Sequence, residues 1–390
     1  MTAPQGFLAA GVHCGIKQRK LDLALLVSES PATVAGVFTT NRIKAAPVLW
    51  CQEVVRRGVA RAVVVNSGNA NACTGERGWQ DAREMAERTA QALEVPAEQV
   101  LVASTGVIGV PLPMDAVRRG ILLAAQSLSR SGDDAAEAIL TTDAFPKTSA
   151  VVTTLRGVPV TVGGMAKGAG MIHPRLATTL CFLTTDATVP APVLQAALQR
   201  AVAASFNRIT VDGDTSTNDT VLVLANGQAG APPVEGGEEF ERFTQALTTV
   251  AQDLAKMVVR DGEGAQRLVE VLVEGAADDA DADRAAFAIA TSLLVKTMLH
   301  GGEPNWGRVV AAVGYSGAAV EERRVAVWFG DVQVVRGGVA VEGVSDRAAQ
   351  ALRQPEVLVR VDLGLGPGRA QVWTCDIGEE YVRINGSYIT

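Results

Sequence analysis

Gly163-Gly164-Met165-Ala166-Lys167-Gly168-Ala169-Gly170-Met171-Ile172-His173-Pro174-Arg175-Leu176-Ala177-Thr178-Thr179-Leu180 leads a glycine-rich run into an alanine–threonine junction. An apolar segment follows directly, and its composition predicts a strand over 179–185. The glycines let the backbone take positive φ and approach a bound group closely. A threonine hydroxyl is a weak nucleophile without a base beside it. Once the preceding peptide bond is cut, the residue's own α-amine can be that base. The stretch therefore suggests self-cleavage, with strands on either side.

Working outward, strands are expected at 149–155 and 158–162 before this point, and at 208–212 and 220–225 after it. Residues 33–65 read as alternating β-rich segments ending in Ala62-Val63-Val64-Val65, and Val100 to Ala103 reads as another strand. Trp79, Ala82, Ala86, Ala90 and Leu93 recur at helical spacing, which predicts an amphipathic helix over 79–93. Further helices are expected at 114–130, 192–204, 238–259 and 280–299. The remaining strands fall at 267–273, 324–329, 356–362, 371–375 and 381–384. Interleaved helices and strands favour an α/β (α+β layered) architecture over an all-helical one.

Composition narrows the function classes. The 390 residues are 48 % hydrophobic with 39 glycines, so burial is ample. Aromatics are only 4 % and the net charge is −7, which argues against stacking on single-stranded nucleic acid, against binding nucleic-acid backbones and against anionic membranes. No apolar run reaches membrane-spanning length, and the Met-Thr-Ala-Pro-Gln start lacks a signal-peptide pattern, so a soluble, cytoplasmic protein is expected. Five scattered cysteines, none in CxxC spacing, fit a reducing compartment. Three dispersed histidines do not form a zinc motif, and Asp212, Asp214, Asn218 and Asp219 lack EF-hand spacing, so no metal is expected. Neither a GxxxxGK[ST] loop nor a Rossmann GxGxxG is present, and no nucleotide cofactor is expected.

Three polar, turn-rich loops follow strand-like segments: 66–75, 104–109 and 210–220. Such loops are where α/β folds place binding groups, although each also reads as an ordinary tight turn. Ser104-Thr105-Gly106 offers a hydroxyl beside a backbone N–H, the donor pair of an oxyanion hole. Lys167 and His173 have bland readings too, as a solvated lysine and a packing histidine.

Together these blocks resemble the glutamate N-acetyltransferases, or ornithine acetyltransferases, of arginine biosynthesis. The resemblance runs the length of the chain. It rests on Val37-Phe38-Thr39-Thr40-Asn41, Asn66-Ser67-Gly68-Asn69-Ala70-Asn71-Ala72, Ser104-Thr105-Gly106-Val107-Ile108-Gly109 and Lys167-Gly168-Ala169-Gly170-Met171-Ile172. It continues with Ala177-Thr178, Val211-Asp212-Gly213-Asp214-Thr215-Ser216-Thr217-Asn218-Asp219, Asp261-Gly262-Glu263-Gly264 and Pro304-Asn305-Trp306-Gly307.

The resemblance implies a DmpA/ornithine acetyltransferase-like sandwich of mixed sheets flanked by helices. It implies scission between Ala177 and Thr178, giving an α chain of 1–177 and a β chain of 178–390. The two chains would interleave in one globular unit, with a smaller C-terminal subdomain around 270–390. Thr178 would be the nucleophile, with Thr105 and Gly106 as oxyanion hole. Substrate contacts would fall on Thr141, Lys167, Thr178, Glu263, Asn385 and Thr390. The implied reaction moves an acetyl group from N²-acetylornithine to glutamate through acetyl-Thr178, without a cofactor, in an α₂β₂ heterotetramer. Acetyl-CoA as a second donor stays open at this point. So do the choices between Thr178 and the adjacent Thr179 and between Thr141 and Thr142, since the family more often has methionine at 179 and threonine at 144. Strand alternation and the spacing to Lys167 favour Thr178. An amidase that resolves the acyl-enzyme with water, and an idle amino-acid-binding protein, are the competing readings.

Overall fold

A computed structural model of the chain describes residues 1–173 and 179–387. The described residues fall into two compact units, one of Met1–Asn207 with Asp214–Val258, the other of Arg208–Gly213 with the chain from Val259 onward.

The first unit is built on one mixed sheet. Its elements are β1 (Phe7–Val12), β2 (Leu23–Phe38), α1 (Ala46–Arg57), β3 (Val59–Asn69), α2 (Gly75–Leu93), β4 (Val100–Val107), α3 (Met114–Gln126) and α4 (Asp133–Ala138). The chain continues through β5 (Lys147–Leu155), β6 (Val158–Lys167), β7 (Leu180–Thr185), α5 (Ala191–Ala203), β8 (Thr220–Ala225) and α6 (Gly237–Arg260). The strand order is β4-β3-β2-β8-β7-β6-β5, with β1 also on β2. The β3–β4 and β7–β8 pairs are parallel and the others antiparallel.

Both sheet faces are covered. In β3, Ala62 and Val64 enter a core shared with Met85 and Ala86 of α2 and with Val117 and Ile121 of α3. Val63 and Val65 enter another core, with Cys51 and Val54 of α1 and Ala135 of α4. A strand buried on both sides must be apolar at every position, which is why 62–65 reads as an unbroken run.

The second unit contains β9 (Leu268–Ala276), α7 (Asp279–Thr291), α8 (Leu293–Gly301), α9 (Trp306–Tyr315), β10 (Ala326–Phe329) and β11 (Val332–Arg336). After these come β12 (Val339–Ala340), α10 (Ser345–Leu352), β13 (Glu356–Asp362), β14 (Gly368–Cys375) and α11 (Glu379–Ser387). Its sheet runs β12-β11-β10-β13-β9-β14. Val357, Val359 and Val361 alternate inward from β13 onto Ala282, Ala286 and Ile289 of α7, as expected for a sheet with one packed face.

Four sequence expectations are corrected. The β-rich reading of 33–65 missed α1, where Pro47 sits in the first turn and Val48, Cys51 and Val54 form a buried helical stripe inside a valine-rich segment. The single helix at 280–299 is two, because Ser292 leaves helical geometry and its side chain accepts the Val295 N–H to cap α8. Segment 381–384 is helical rather than extended. Glu379 and Glu380 favour that first turn, and Glu380 pairs with Arg383 one turn on. Segment 208–212 forms no strand, only a bridge from Ile209 to Trp373 before Gly213 turns the chain at φ +89°.

Candidate active site

The parallel β3–β4 pair sets the first half of the site. Ser67 lies opposite Thr105 and Gly68 opposite Gly106. Gly106 has φ +129°, and a β-carbon there would lie 2.4 Å from the Gly68 carbonyl carbon, so only glycine lets the two backbones meet this closely. The strand end is fixed by amides. Asn218 Nδ2 donates to the carbonyls of Ala70 (2.6 Å) and Ser104 (2.8 Å), while Ser104 Oγ donates to Asn66 Oδ1 (2.6 Å).

The second half comes from β6 and the turn before β5. Lys167, the last residue of β6, is buried, and its Nζ donates to Thr141 Oγ1 at 2.8 Å and to Thr105 Oγ1 at 3.4 Å. Asp143 Oδ2 lies 3.7 Å from the same ammonium, and Asp143 Oδ1 takes the Lys147 ammonium at 2.8 Å and the Gly168 N–H at 2.7 Å. Burial alone would raise the Asp143 carboxyl. The Lys167 and Lys147 ammoniums, with the Thr141 N–H, instead hold it well below the usual carboxylate range.

Thr105, Gly106, Thr141 and Lys167, widely separated in sequence, are thus gathered in one unit, Thr105 and Thr141 both bonded to Lys167. In the second unit Glu263 is buried, and Asn385 Nδ2 donates to its Oε2 at 2.7 Å. Ala177, Thr178 and Thr390 lie outside the described residues. Thr179, next to the expected nucleophile, begins the approach to β7. Its N–H donates to Asp219 Oδ1 at 2.9 Å, and its buried hydroxyl has no hydrogen-bond partner among the described residues.

Two residues of this arrangement had no functional reading in the sequence. Asp143 compensates two lysines, yet in Thr141-Thr142-Asp143-Ala144-Phe145-Pro146 it reads as a turn former. Asn218 was read as part of the polar 210–220 loop and as one of four polar residues without metal spacing, with no role of its own. The one available signal was the recurrence of polar loops after strands. Among the described residues no cluster of metal-ligating side chains is found, and no helix is long and apolar enough to cross a membrane.

An ammonium bonded to two hydroxyls and balanced by a buried carboxylate, at the end of a helix-flanked mixed sheet, suits recognition and polarisation of a small anionic or carbonyl substrate. The profile of the ArgJ family matches residues 8–390. The chain is 54 % identical over 395 residues to the arginine biosynthesis bifunctional protein ArgJ of Symbiobacterium thermophilum, covering 100 % of this chain and 98 % of the relative. It is 53 % identical over 390 residues to the protein of the same name from Geobacter sulfurreducens, with 99 % of each covered. A crystal structure of the arginine biosynthesis bifunctional protein ArgJ from Bacillus halodurans is 46 % identical over 44 % of this chain and 92 % of its own, with a TM-score of 0.43. The chain belongs to the ArgJ family.

Proposed function

We propose that this chain is the acetyl-transferring enzyme of arginine biosynthesis, moving the acetyl group of N²-acetylornithine to glutamate through an acetyl-threonine intermediate. The observation that carries this reading is identity above one half, over the whole chain, to proteins named as bifunctional ArgJ. The bifunctional name also supports acetyl-CoA as a second donor, and the reaction as proposed uses no resident cofactor.

In the proposed mechanism the chain is cut between Ala177 and Thr178, and Thr178 Oγ attacks the acetyl carbonyl while its proton passes to the residue's own α-amine. The tetrahedral oxyanion is held by the Thr105 hydroxyl and the Gly106 N–H. The Lys167 contact supports this role for Thr105. A hydroxyl oxygen that accepts from an ammonium keeps its own proton available to donate outward. Ornithine leaves, and the glutamate α-amine then attacks the ester. Lys167 is suited to the α-carboxylate common to both amino acids, and Thr141 shares its ammonium. Glu263, a buried carboxylate, is suited to the side-chain ammonium of ornithine, and Asn385 and Thr390 keep the substrate contacts that the resemblance implies. The cut chains are proposed to assemble as a cytoplasmic α₂β₂ heterotetramer.

Purified protein supplied with N²-acetylornithine and glutamate should yield N-acetylglutamate and ornithine. Omitting glutamate separates transfer from hydrolysis, since steady release of acetate would make the enzyme an amidase. Intact mass should give two fragments, the second starting at Thr178, whereas Thr178→Ala should remain one chain. Two fragments from that variant would remove Thr178 from the scheme.

A further inference from the structure

Lys17 stands in the loop between β1 and β2, and that loop is pinned from within. The buried Asp22 carboxylate accepts the backbone N–H groups of Cys14 (2.6 Å), Gly15 (3.1 Å), Ile16 (2.7 Å) and Lys17 (2.9 Å). Four amides on one carboxylate leave the loop little freedom. From this frame the half-buried Lys17 side chain runs past the end of β3, where a β-carbon at Gly68 would lie 3.1 Å from Lys17 Cγ. Gly68 is the residue that faces Gly106 across the β3–β4 pair. The Lys17 ammonium donates to the Leu21 carbonyl at 2.8 Å and to the Leu140 carbonyl at 2.6 Å.

Leu140 precedes Thr141, whose hydroxyl accepts from Lys167, so adjacent residues hold two ammoniums. Their charges are treated differently. Asp143 lies against both Lys167 and Lys147, whereas no carboxylate among the described residues forms an ion pair with Lys17. Two carbonyls orient the Lys17 head without neutralising it, and they use two of its three N–H groups.

The two substrates of the proposed reaction differ in charge at the side chain. Both carry an α-carboxylate, to which Lys167 is suited, but glutamate has a second carboxylate where ornithine has an ammonium. Glu263 suits only the ammonium. We propose that Lys17 is a specificity-determining residue for the acceptor, its third N–H taking the side-chain carboxylate of glutamate. The assignment rests on the acetyl-transfer reading and names the group that would tell its two amino acids apart. The same cation turns the ornithine ammonium away from this position.

Burial pushes the Lys17 ammonium down to about 8. Asp22 opposes that shift, Lys20 and Lys167 add to it, and Asp143 opposes it again. The next charged groups out are His13, 3.4 Å from Asp22, and Lys147 on Asp143. Lys17 is therefore a cation at neutral pH and loses its charge in mildly alkaline solution.

Glutamine is the probe, because it replaces the side-chain carboxylate by an amide of the same shape. With N²-acetylornithine as donor, kcat/KM should favour glutamate over glutamine. Lys17→Met keeps an apolar stem beside Gly68, and it should lower that ratio by about 10–10²-fold, the usual worth of a contact between charged groups. The loss should appear in KM for glutamate, and Lys17→Arg should restore part of the preference. Exchange of labelled ornithine into N²-acetylornithine, which needs no glutamate, should fall far less. An unchanged ratio would overturn the inference. So would equal losses in transfer and in exchange, which are those of a loop anchor.

If the methionine variant does not fold, the wild-type enzyme decides. Its glutamate-to-glutamine ratio of kcat/KM should fall as pH rises through about 8, where the free enzyme loses the Lys17 charge. A ratio that stays constant across that range would overturn the inference. Wild-type protein that transfers acetyl to neither acceptor would instead refute the acetyl-transfer reading on which the assignment rests.

Discussion

Asp143 sets the charge balance of the candidate site. Two buried ammoniums, Lys147 and Lys167, converge on one buried carboxylate, with N–H groups from Thr141 and Gly168 completing its shell. A buried pair adds little net stability when intact, because desolvation offsets attraction, but removing one partner exposes the cost in full. Lys147 lies opposite Ala166, the residue before Lys167, in the β5–β6 register, and also approaches the Phe145 ring. Lys147→Met, similar in volume, should therefore lower the unfolding free energy by about 3 kcal/mol in urea titration, at the low end for a broken buried pair. The KM for acetylornithine should rise as well, because Asp143 then pulls Lys167 away from Thr141. A variant as stable as wild type, with unchanged KM, would mean that Lys147 is dispensable to the balance.

At the scale of elements, the β3–β4 crossing point decides where the oxyanion donors stand. Alanine at Gly106 would press its β-carbon against Gly68 and force a positive φ on an ordinary residue, parting the strands by several tenths of an ångström at least. Gly106→Ala should thus lower kcat by about 10²–10³, the usual loss for one misplaced oxyanion donor. Gly314→Ala is the control. A β-carbon at this α9 position meets nothing, so stability should rise by about 0.5–1 kcal/mol with activity intact. Equal activity in the two variants would separate Gly106 from catalysis.

The contrast shows what local sequence can convey. Runs such as 62–65 and 180–183 announced their strands because a doubly covered sheet favours apolar residues at successive positions. The amphipathic stripe of α2 announced its helix in the same way. Helix α1 was hidden because its buried face is valine and cysteine, types that also suit a strand. Helix α11 was hidden because Tyr381-Val382-Arg383-Ile384 mimics alternation. The donor pair Thr105–Gly106 was legible as a local motif. Asp143 and Asn218 were not, since their roles arise from register and from contacts up to 148 positions apart.

Across the whole molecule, buried charge is handled locally in each unit. Lys296 in the second unit gives its ammonium to Thr374 Oγ1 at 2.6 Å and to the Cys375 carbonyl, while Asp376 holds His300 at 2.8 Å. Among the buried carboxyls of the first unit, Asp143 and Asp219 have affinities displaced in opposite directions, and stability should therefore fall toward both ends of the pH scale. Asp143 is depressed, so its contribution is present above the unfolded value of about 3.9 and is lost as pH falls below it. Asp219 is raised, so its contribution is fully present below the unfolded value and is lost as pH rises through its folded value. Asp219→Asn should flatten the decline in Tm as pH rises above the unfolded value, and Asp143→Asn should flatten the acid side. Tm profiles unchanged in both variants would show that neither carboxyl sets the pH dependence.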